Sequence, residues 1–264
     1  MGRLSERFAD LHSRGEVALI PFVMAGDPDL ATTELLVLAL AQAGADAVEI
    51  GVPFSDPIAE GPTLQRATER ALRAGTSLSR VLALVRGLRQ RVELPLILMG
   101  YANNFLNEKA EPFAAAAAQA GVDGVIVVDL PPEEGREFFE ALRAAGIDSI
   151  LLAAPTTTPE RLRTIARETR GFLYYVSLTG VTGAREKMAQ DLEVGVRRAR
   201  EVSSLPVCVG FGISTPEHAA AIAHFADGVV VGSALVERIA AAPSPEAAVD
   251  AAARFVRKLK QALS

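Results

Sequence analysis

Residues 207–236 read VCVGFGISTPEHAAAIAHFADGVVVGSALV and contain two copies of one pattern. In the first copy, an apolar run over 207–209 precedes glycines and an amphipathic segment over 216–225, which opens with a Thr-Pro-Glu sequence typical of a helix N-terminus. In the second copy, an apolar run over 228–231 leads to Ser233, which can begin another helix. The stretch therefore predicts two consecutive units of a β-strand followed by an α-helix.

Similar units recur along the whole chain of 264 residues. Eight short apolar runs lie at 17–23, 47–51, 96–99, 124–128, 149–153, 172–177, 207–209 and 228–231. Most lack strict alternation, as expected for strands that are buried on both faces. Amphipathic helical patterns lie between them at 29–43, 78–91, 111–120, 133–145, 159–168 and 216–225. Eight strand-then-helix units in this length predict an α/β fold, a (β/α)8 TIM barrel.

The barrel is predicted to be a single domain over residues 1–264, because no linker or change in composition divides the chain. Leu4, Phe8 and Leu11 have helical spacing and predict a short extra N-terminal helix, which can cover the N-terminal face of the barrel. A doubly wound open sheet is the competing architecture. It is disfavoured because the sequence after the first strand, PFVMAGDP over 21–28, does not match the GxGxxG fingerprint.

The composition argues against several classes of protein. The formal net charge is −5, from 27 Lys and Arg against 32 Asp and Glu, so neither a nucleic-acid partner nor a membrane surface is expected. A single cysteine, Cys208, excludes an intramolecular disulfide, and His12, His218 and His224 lack the spacing of metal ligands. No apolar signal core or membrane span is present, so a soluble cytoplasmic protein is expected.

In a parallel barrel, catalytic side chains lie at the carboxyl ends of the strands and in the loops that follow them. Glu49 lies inside an apolar strand, where an ionised carboxylate is costly unless it has a partner or a task. The alternative is that Glu49 points outward and pairs with an Arg. The next loop adds Asp56 and Glu60, which are candidates too, although loop carboxylates are ordinarily just solvated.

The ends of the seventh and eighth strands are rich in small residues. Gly212, Gly232 and Ser233 allow a ligand to approach the backbone, and N–H groups at the start of a helix bind phosphate. Barrels often bind phosphate in these two loops, although the residues can also be simple turn glycines. Phe22, Tyr101 and Phe211 can wall an apolar pocket beside them. The sequence thus favours an aromatic substrate with a phosphate tail.

The sixth strand contains Tyr174 and Tyr175, which point to opposite faces, so only one of them can face the barrel interior. The segment 178–190 that follows has bracketing glycines and little apolar content, which predicts a mobile lid rather than an anchored loop. An ordinary exposed loop is the alternative. Cys208 is predicted to be a small buried residue of the seventh strand, because no base is placed to activate it.

Taken together, these segments resemble the α subunit of tryptophan synthase over nearly the whole chain. The matching segments are 21–28, 49–57 (EIGVPFSDP), 61–65 (GPTLQ), 101–103 (YAN), 129–131 (DLP), 180–183 (GVTG), 210–214 (GFGIS) and 232–234 (GSA). The segment at 49–57 is highly specific, whereas the last two are shared with other phosphate-binding barrels. The resemblance implies a lyase that cleaves indole-3-glycerol phosphate into indole and glyceraldehyde 3-phosphate, without a metal or organic cofactor in this chain.

The resemblance also implies roles for individual residues. Glu49 matches the acid/base at the glycerol hydroxyl and at indole C3, Glu60 matches a second acid at the indole N–H, and Tyr174 matches an active-site tyrosine. The remaining matches are Gly183, Gly212, Gly232 and Ser233 for the phosphate, Phe22, Tyr101 and Phe211 for the indole, and Thr182 in the lid. Four positions depart from the common pattern of the family: Glu60 replaces Asp, Met24 and Gly100 replace Thr, and Asn104 replaces Pro.

The resemblance implies an α2β2 heterotetramer with a pyridoxal-phosphate β subunit, which would hold the cofactor. The loops 53–62 and 178–190 would then transmit the state of each active site to the other. Two other functions stay open at this point. One is a different phosphosugar-binding barrel such as an isomerase, which explains the phosphate loops but not the 49–62 segment. The other is a barrel that has lost catalysis and acts only as an allosteric subunit.

Overall fold

Parallel strands and helices alternate along the chain in the computed structural model, which describes residues 2–106, 110–176, 185–210 and 212–263, with only the backbone over 185–191. The strands are β1 Ala18–Met24, β2 Val48–Gly51, β3 Leu96–Gly100, β4 Gly124–Val127, β5 Asp148–Ile150, β6 Leu152–Ala153, β7 Leu173–Val176, β8 Val207–Gly210 and β9 Gly228–Val231. The helices are α1 Arg3–Arg14, α2 Leu30–Gln42, α3 Pro62–Arg73, α4 Leu78–Arg89, α5 Ala102–Phe105, α6 Ala110–Ala120, α7 Arg136–Ala144, α8 Pro159–Glu168, α9 Arg185–Val202, α10 Pro216–Ala223, α11 Ser233–Ala240 and α12 Pro245–Ala262.

The strands form one sheet that curls into a nearly closed barrel. Their order is β5-β4-β3-β2-β1-β9-β8-β7-β6, and every neighbouring pair is parallel. The two ends of this order, β5 and β6, are consecutive in the chain and are separated only by Leu151. Together they are the predicted fifth strand, which the structure divides in two. The predicted TIM barrel is confirmed.

The helix patterns predicted from the sequence all form, with small differences at their ends. The largest difference is at the start of α7, which begins at Arg136 rather than at 133, because a turn closed by the Gly135 N–H on the Pro131 carbonyl precedes it. Helices α3, α5, α9 and α12 are not predicted from the sequence. Residues 185–190 of the predicted lid are the first turns of α9, and its remaining residues, Thr182 and Gly183 among them, lie outside the described residues.

The short N-terminal helix covers one end of the barrel, as predicted. Leu4, Phe8 and Leu11 of α1 are buried in one cluster with the inward-facing side chains Ile20 and Tyr174 and with Cys208. The ring centroids of Phe8 and Phe172 are 5.7 Å apart. Helix α1 thus covers the N-terminal end of the barrel interior, and in parallel barrels the catalytic residues lie at the opposite face, where the strands end.

Three aspartates repeat one arrangement at the N-terminal ends of the strands. Asp46, Asp123 and Asp227 each accept a hydrogen bond from a backbone N–H near the start of the preceding strand, at 2.8 Å in each case. Each also binds a cation: Lys260 for Asp46, Arg89 and Arg3 for Asp123, and Arg200 for Asp227. The aspartates therefore fasten neighbouring strands to each other and to the outer helices.

Replacing Asp123 with Ala is expected to lower the free energy of unfolding by about 2–3 kcal/mol. The change leaves the nearly buried guanidinium of Arg89 and the Leu96 N–H without their carboxylate partner, and we place the loss below the range for fully buried pairs because Arg3 is partly exposed. Urea unfolding measures the loss. Asp250→Ala is the matched control, since Asp250 forms an exposed pair with Arg254, and it should cost less than about 0.5 kcal/mol. Equal losses in both variants would contradict the prediction.

Candidate active site

A cavity of about 220 Å³ lies at the carboxyl ends of the strands. Its lining combines acidic, aromatic and small residues from both halves of the barrel: Phe22, Glu49, Leu64, Met99, Tyr174, Gly212, Ile213, Ser214, Val230, Gly232, Ser233, Ala234 and Glu237. Six residues predicted for the site, Glu49, Tyr174, Phe22, Gly212, Gly232 and Ser233, are thus brought together. Phe211, like Gly183 and Thr182, lies outside the described residues.

Glu49 is the acidic side chain at the bottom of this cavity. It is on β2, between Phe22 of β1 and Ile97 of β3 in register, and only 1% of its surface is exposed. Its Oε1 atom has no hydrogen-bond partner among the described residues. Burial raises the pKa of Glu49 to about 8, because water cannot stabilise the charged form there. The alternative in which Glu49 points outward to an Arg is therefore wrong, and the carboxyl is largely protonated at neutral pH.

Tyr174 of β7 is the tyrosine that faces the barrel interior. It is buried, and its pKa lies well above the ordinary value because of burial and, secondarily, the negative charge of Glu49. Gly210 of the neighbouring strand makes room for it, since a Cβ atom there would lie 2.4 Å from the phenol oxygen. Tyr175 points to the helix side, where its oxygen lies against Gly195 of α9. Tyr174 is therefore a neutral hydroxyl beside Glu49.

The apolar wall of the cavity starts from Phe22. A Cβ atom on Gly51 would lie 2.5 Å from the tip of the Phe22 ring, so the glycine in β2 leaves the space that this ring occupies. Met99, at the end of β3, and Leu64, on α3, also line the cavity. The wall can hold a flat apolar ring against the buried carboxyl of Glu49.

The opposite side of the cavity is suited to an anion. Helix α11 begins at Ser233, and its N-cap residue Gly232 provides no side-chain hydrogen bond to the free N–H groups of the first turn. Gly212, with φ +76°, lies in the left-handed region that favours glycine, and a Cβ atom there would have open space around it. Backbone N–H groups and hydroxyls therefore surround this side, as in phosphate sites at helix N-termini.

Glu60, by contrast, is not among the residues that line this cavity. It lies in the loop before α3, and its Oε2 accepts a hydrogen bond of 3.1 Å from the Thr68 hydroxyl. Burial raises the pKa of Glu60, and the bond from Thr68 lowers it, with burial the larger effect. The two carboxyl groups thus lie in different surroundings, and of the two only Glu49 lines the cavity.

Tyr101 is also outside the cavity lining, and it holds the Glu60 loop instead. Its hydroxyl accepts a hydrogen bond of 3.0 Å from the Ala59 N–H, and its ring stacks on Phe54. Burial is the main cause that raises the pKa of Tyr101 to about 12. Asn104 supports the same loop, because its amide donates to the Pro53 carbonyl while its oxygen accepts from the Tyr101 N–H.

Two of the four departures from the common pattern explain each other. A Cβ atom at Gly100 would lie 2.9 Å from Oδ1 of Asn104 and 2.9 Å from the Phe105 ring. A larger residue at position 100 would therefore displace the Asn104 amide from its two hydrogen bonds. Gly100 and Asn104 form a matched pair that connects the end of β3 to the loop after β2.

Sequence reasoning missed several lining residues, of which Met99 and Glu237 are the most informative. Met99 lies at the carboxyl end of a predicted strand, so the rule for parallel barrels was sufficient to find it. Glu237 is four residues after Ser233, which places it on the same face of α11, and it accepts a hydrogen bond from Thr63. That helical spacing was the available signal for Glu237.

A larger cavity, of about 480 Å³, lies at the opposite end of the barrel between α1 and the residues before β8. Two of its charged residues, Arg200 and Asp227, bind each other. It is at the N-terminal face, where residues of parallel barrels serve stability rather than catalysis. In the described part of the chain, no group of three or more His, Cys, Asp or Glu side chains is arranged to hold a metal ion, and no helix is long and apolar enough to span a membrane.

Comparisons with known proteins agree with this geometry. The family model described as "Tryptophan synthase alpha chain" matches residues 8–264. Relatives with that name include those of Citrifermentans bemidjiense, 56% identical over 90% of this chain and 89% of the relative, and Geobacter sulfurreducens, 51% identical over 100% and 99%. The crystal structure of tryptophan synthase subunit alpha from Legionella pneumophila has a TM-score of 0.92 and 40% identity, with 100% of this chain and 98% of that chain covered.

Proposed function

Because the chain belongs to the tryptophan synthase alpha chain family, we propose that it is the lyase of that family, which cleaves indole-3-glycerol phosphate into indole and glyceraldehyde 3-phosphate in tryptophan biosynthesis. One observation carries the proposal. Glu49, a buried carboxyl whose Oε1 has no hydrogen-bond partner in the described part of the chain, lies in the same cavity as the N-terminus of α11, which has no side-chain cap there. A proton-transfer group and an anion site are therefore available to one small molecule.

The reaction needs two proton movements that one carboxyl can perform in turn. A proton is added to indole C3, and the hydroxyl next to the breaking bond loses its proton, so that the electron pair of the C–C bond returns to the ring and an aldehyde forms. The proton given at C3 is replaced by the one taken from the hydroxyl. Glu49, with a pKa of about 8, is protonated at neutral pH and is suited to give the proton first and take the other afterwards.

The other residues position the substrate in this proposal. The phosphate binds near Gly212, Gly183, Gly232 and Ser233, and the indole ring lies against Phe22 and Phe211. Tyr101, also predicted for the indole pocket, supports the loop that carries Glu60. Tyr174, neutral and beside Glu49, orients the glycerol end, and Thr182 belongs to the lid. Glu60 stabilises the positive charge that forms at the indole N–H after C3 is protonated. Support for Glu60 is its place in the loop that follows β2, the strand that carries Glu49.

We further propose that the chain works in an α2β2 heterotetramer in the cytoplasm, with neither nucleic acid nor membrane as a partner. The β subunit would hold pyridoxal phosphate, which supplies the chemistry that consumes indole, and this chain holds no cofactor of its own. The loop that carries Glu60 supports a docking role, because Ile58 in that loop is 78% exposed, which is unusual for a large apolar side chain at the mouth of a barrel.

The proposal is tested by incubating the purified protein with indole-3-glycerol phosphate, alone and with a tryptophan synthase β subunit, and measuring indole. We expect indole in both reactions and a faster rate with the partner. An isomerase would consume a phosphosugar without forming indole. A subunit without catalysis would give no indole in either reaction, but it would still change the activity of the β subunit. Absence of indole in both reactions would overturn the proposed function.

Replacing Ser233 with Asp is expected to raise the KM for indole-3-glycerol phosphate at least about tenfold. A negative charge at the start of α11 would repel the substrate phosphate, and an interaction of about 1.4 kcal/mol is enough for a tenfold change. Steady-state kinetics measure the effect. Ser244→Asp is the matched control at the N-terminus of α12, where Asp can cap the helix as Ser does. An unchanged KM in Ser233→Asp would show that the phosphate binds elsewhere.

A further inference from the structure

The two remaining departures from the family pattern, Glu60 and Met24, meet at one side chain. Thr68 of α3 is 2% exposed, and its Oγ1 lies 3.1 Å from Oε2 of Glu60 and 3.8 Å from Sδ of Met24. A threonine hydroxyl has one proton to donate, and a thioether sulfur is a weak acceptor. The proton therefore goes to the Glu60 carboxylate, and Met24, unlike a Thr at that position, offers no hydroxyl of its own.

The backbone around Glu60 is fixed independently of Thr68. The Gln65 side-chain amide donates to the Glu60 carbonyl at 2.9 Å, and the preceding N–H, of Ala59, binds Tyr101. These bonds hold the loop but leave the three side-chain torsions of Glu60 free. Thr68 is on a helix, and its β-branched side chain has few rotamers there. Its hydroxyl is therefore a rigid point of attachment for an otherwise adjustable carboxylate.

We propose that Thr68 is a positioning residue, whose hydroxyl holds the Glu60 carboxylate in the orientation used at the substrate. The inference rests on the proposed function, in which Glu60 stabilises charge at the indole N–H. It explains how the chain uses a Glu at this position: the additional methylene extends the carboxylate to Thr68, which an Asp on the same backbone would not reach by about 1.5 Å. Thr68 acts through Glu60 and does not itself contact the substrate.

The charges around Glu60 do not replace this contact. Tyr101, which interacts with Glu60, is a neutral phenol with a pKa of about 12. From α3, Arg66 and Glu69 are exposed, and Arg70 is bound in a bidentate pair to Asp27. Asp56 is exposed in the same loop. Met24, from β1, is uncharged. Within the described residues, the Thr68 hydroxyl is thus the group that donates a hydrogen bond to the Glu60 carboxylate.

The test is a double-mutant cycle between Thr68→Val and Glu60→Gln on the full-length protein, with indole formation as the readout. Thr68→Val keeps the branched shape and removes the hydroxyl. We expect kcat to fall about tenfold with KM changed less than about twofold, as for the loss of a hydrogen bond to a charged group. Thr68→Ser, which keeps the hydroxyl, should restore most of kcat. In the Glu60→Gln background, Thr68→Val should cause little further loss, because the two residues act as a unit.

A loss of kcat that is equal in both backgrounds would overturn the inference, and so would an unchanged kcat in Thr68→Val. The pKa of the Glu60 carboxyl, measured by carbon-13 NMR, provides a readout that does not need activity. It should rise in Thr68→Val and return in Thr68→Ser, and an unchanged value in Thr68→Val would refute the inference. If the unmodified protein forms no indole, the proposed function fails, and the NMR result still decides whether Thr68 holds Glu60.

Discussion

Replacing Glu49 with Gln is expected to lower the rate of indole formation from indole-3-glycerol phosphate by at least about 10²-fold, which is the low end for loss of general acid–base catalysis. Gln has nearly the same shape as Glu, so the cavity with Phe22 and Tyr174 should stay intact. What the variant lacks is the transferable proton of a carboxyl whose pKa is about 8. Single-turnover kinetics, with the protein in excess over the substrate and at a concentration that binds all of it, measure the chemical step directly.

The matched control is Glu140→Gln, the same chemical change on the exposed face of α7. It should leave the rate of indole formation unchanged. Substrate affinity should also stay close to normal in Glu49→Gln, because the anion site at α11 is untouched. A rate of indole formation within about threefold of that of the unmodified protein would show that Glu49 is not the acid/base. The proton transfers would then belong to another group.

The barrel itself follows from the sequence because buried parallel strands read as short apolar runs. All eight predicted runs are strands. The fifth one is divided at Leu151, where pairing passes from β4 to β7, and composition does not encode that division. Helix α12 is a different case: its Ser-Pro-Glu start, with Ser244 accepting from the Ala247 N–H, is the same signal that identifies α8 and α10, and it was available in the sequence.

The position of Glu49 is predictable because its strand is buried. A side chain on such a strand points either into the barrel or toward the helices, so there are only two possibilities. The orientation of Glu60 is harder to predict, because tertiary contacts determine where a loop side chain lies. The loop is held by Tyr101, which follows β3, and by Gln65 of α3, and the carboxylate accepts a hydrogen bond from Thr68. The contacts that decide this orientation join residues that are distant in the chain: Tyr101 is 42 positions from Ala59, and Thr68 is 8 positions from Glu60. No local spacing rule contains that information.

Glu49 should also make stability depend on pH in a direction opposite to that of a salt-bridged carboxylate. Its pKa is about 8 in the folded chain and close to 4.5 when the chain is unfolded, so the folded state binds more protons between these values. The free energy of unfolding should therefore fall as the pH rises from 5 to 8. At about 1.4 kcal/mol per pKa unit, the contribution of Glu49 to this fall is about 3 kcal/mol.

Other groups titrate in the same range, so the effect of Glu49 has to be isolated. The quantity to measure is the difference in free energy of unfolding between the unmodified protein and Glu49→Gln. Urea unfolding at pH 5 and at pH 8, without ligand, gives this difference. The uncharged amide cannot ionise, and the difference should therefore shift by about 3 kcal/mol in favour of the variant at the higher pH. Glu140→Gln, the same exchange on the exposed face of α7, is the control for general effects of the substitution on stability. If the difference in free energy of unfolding were the same at both pH values, the Glu49 carboxyl would ionise as easily inside the barrel as in water. Glu49 would then not be a proton donor at neutral pH.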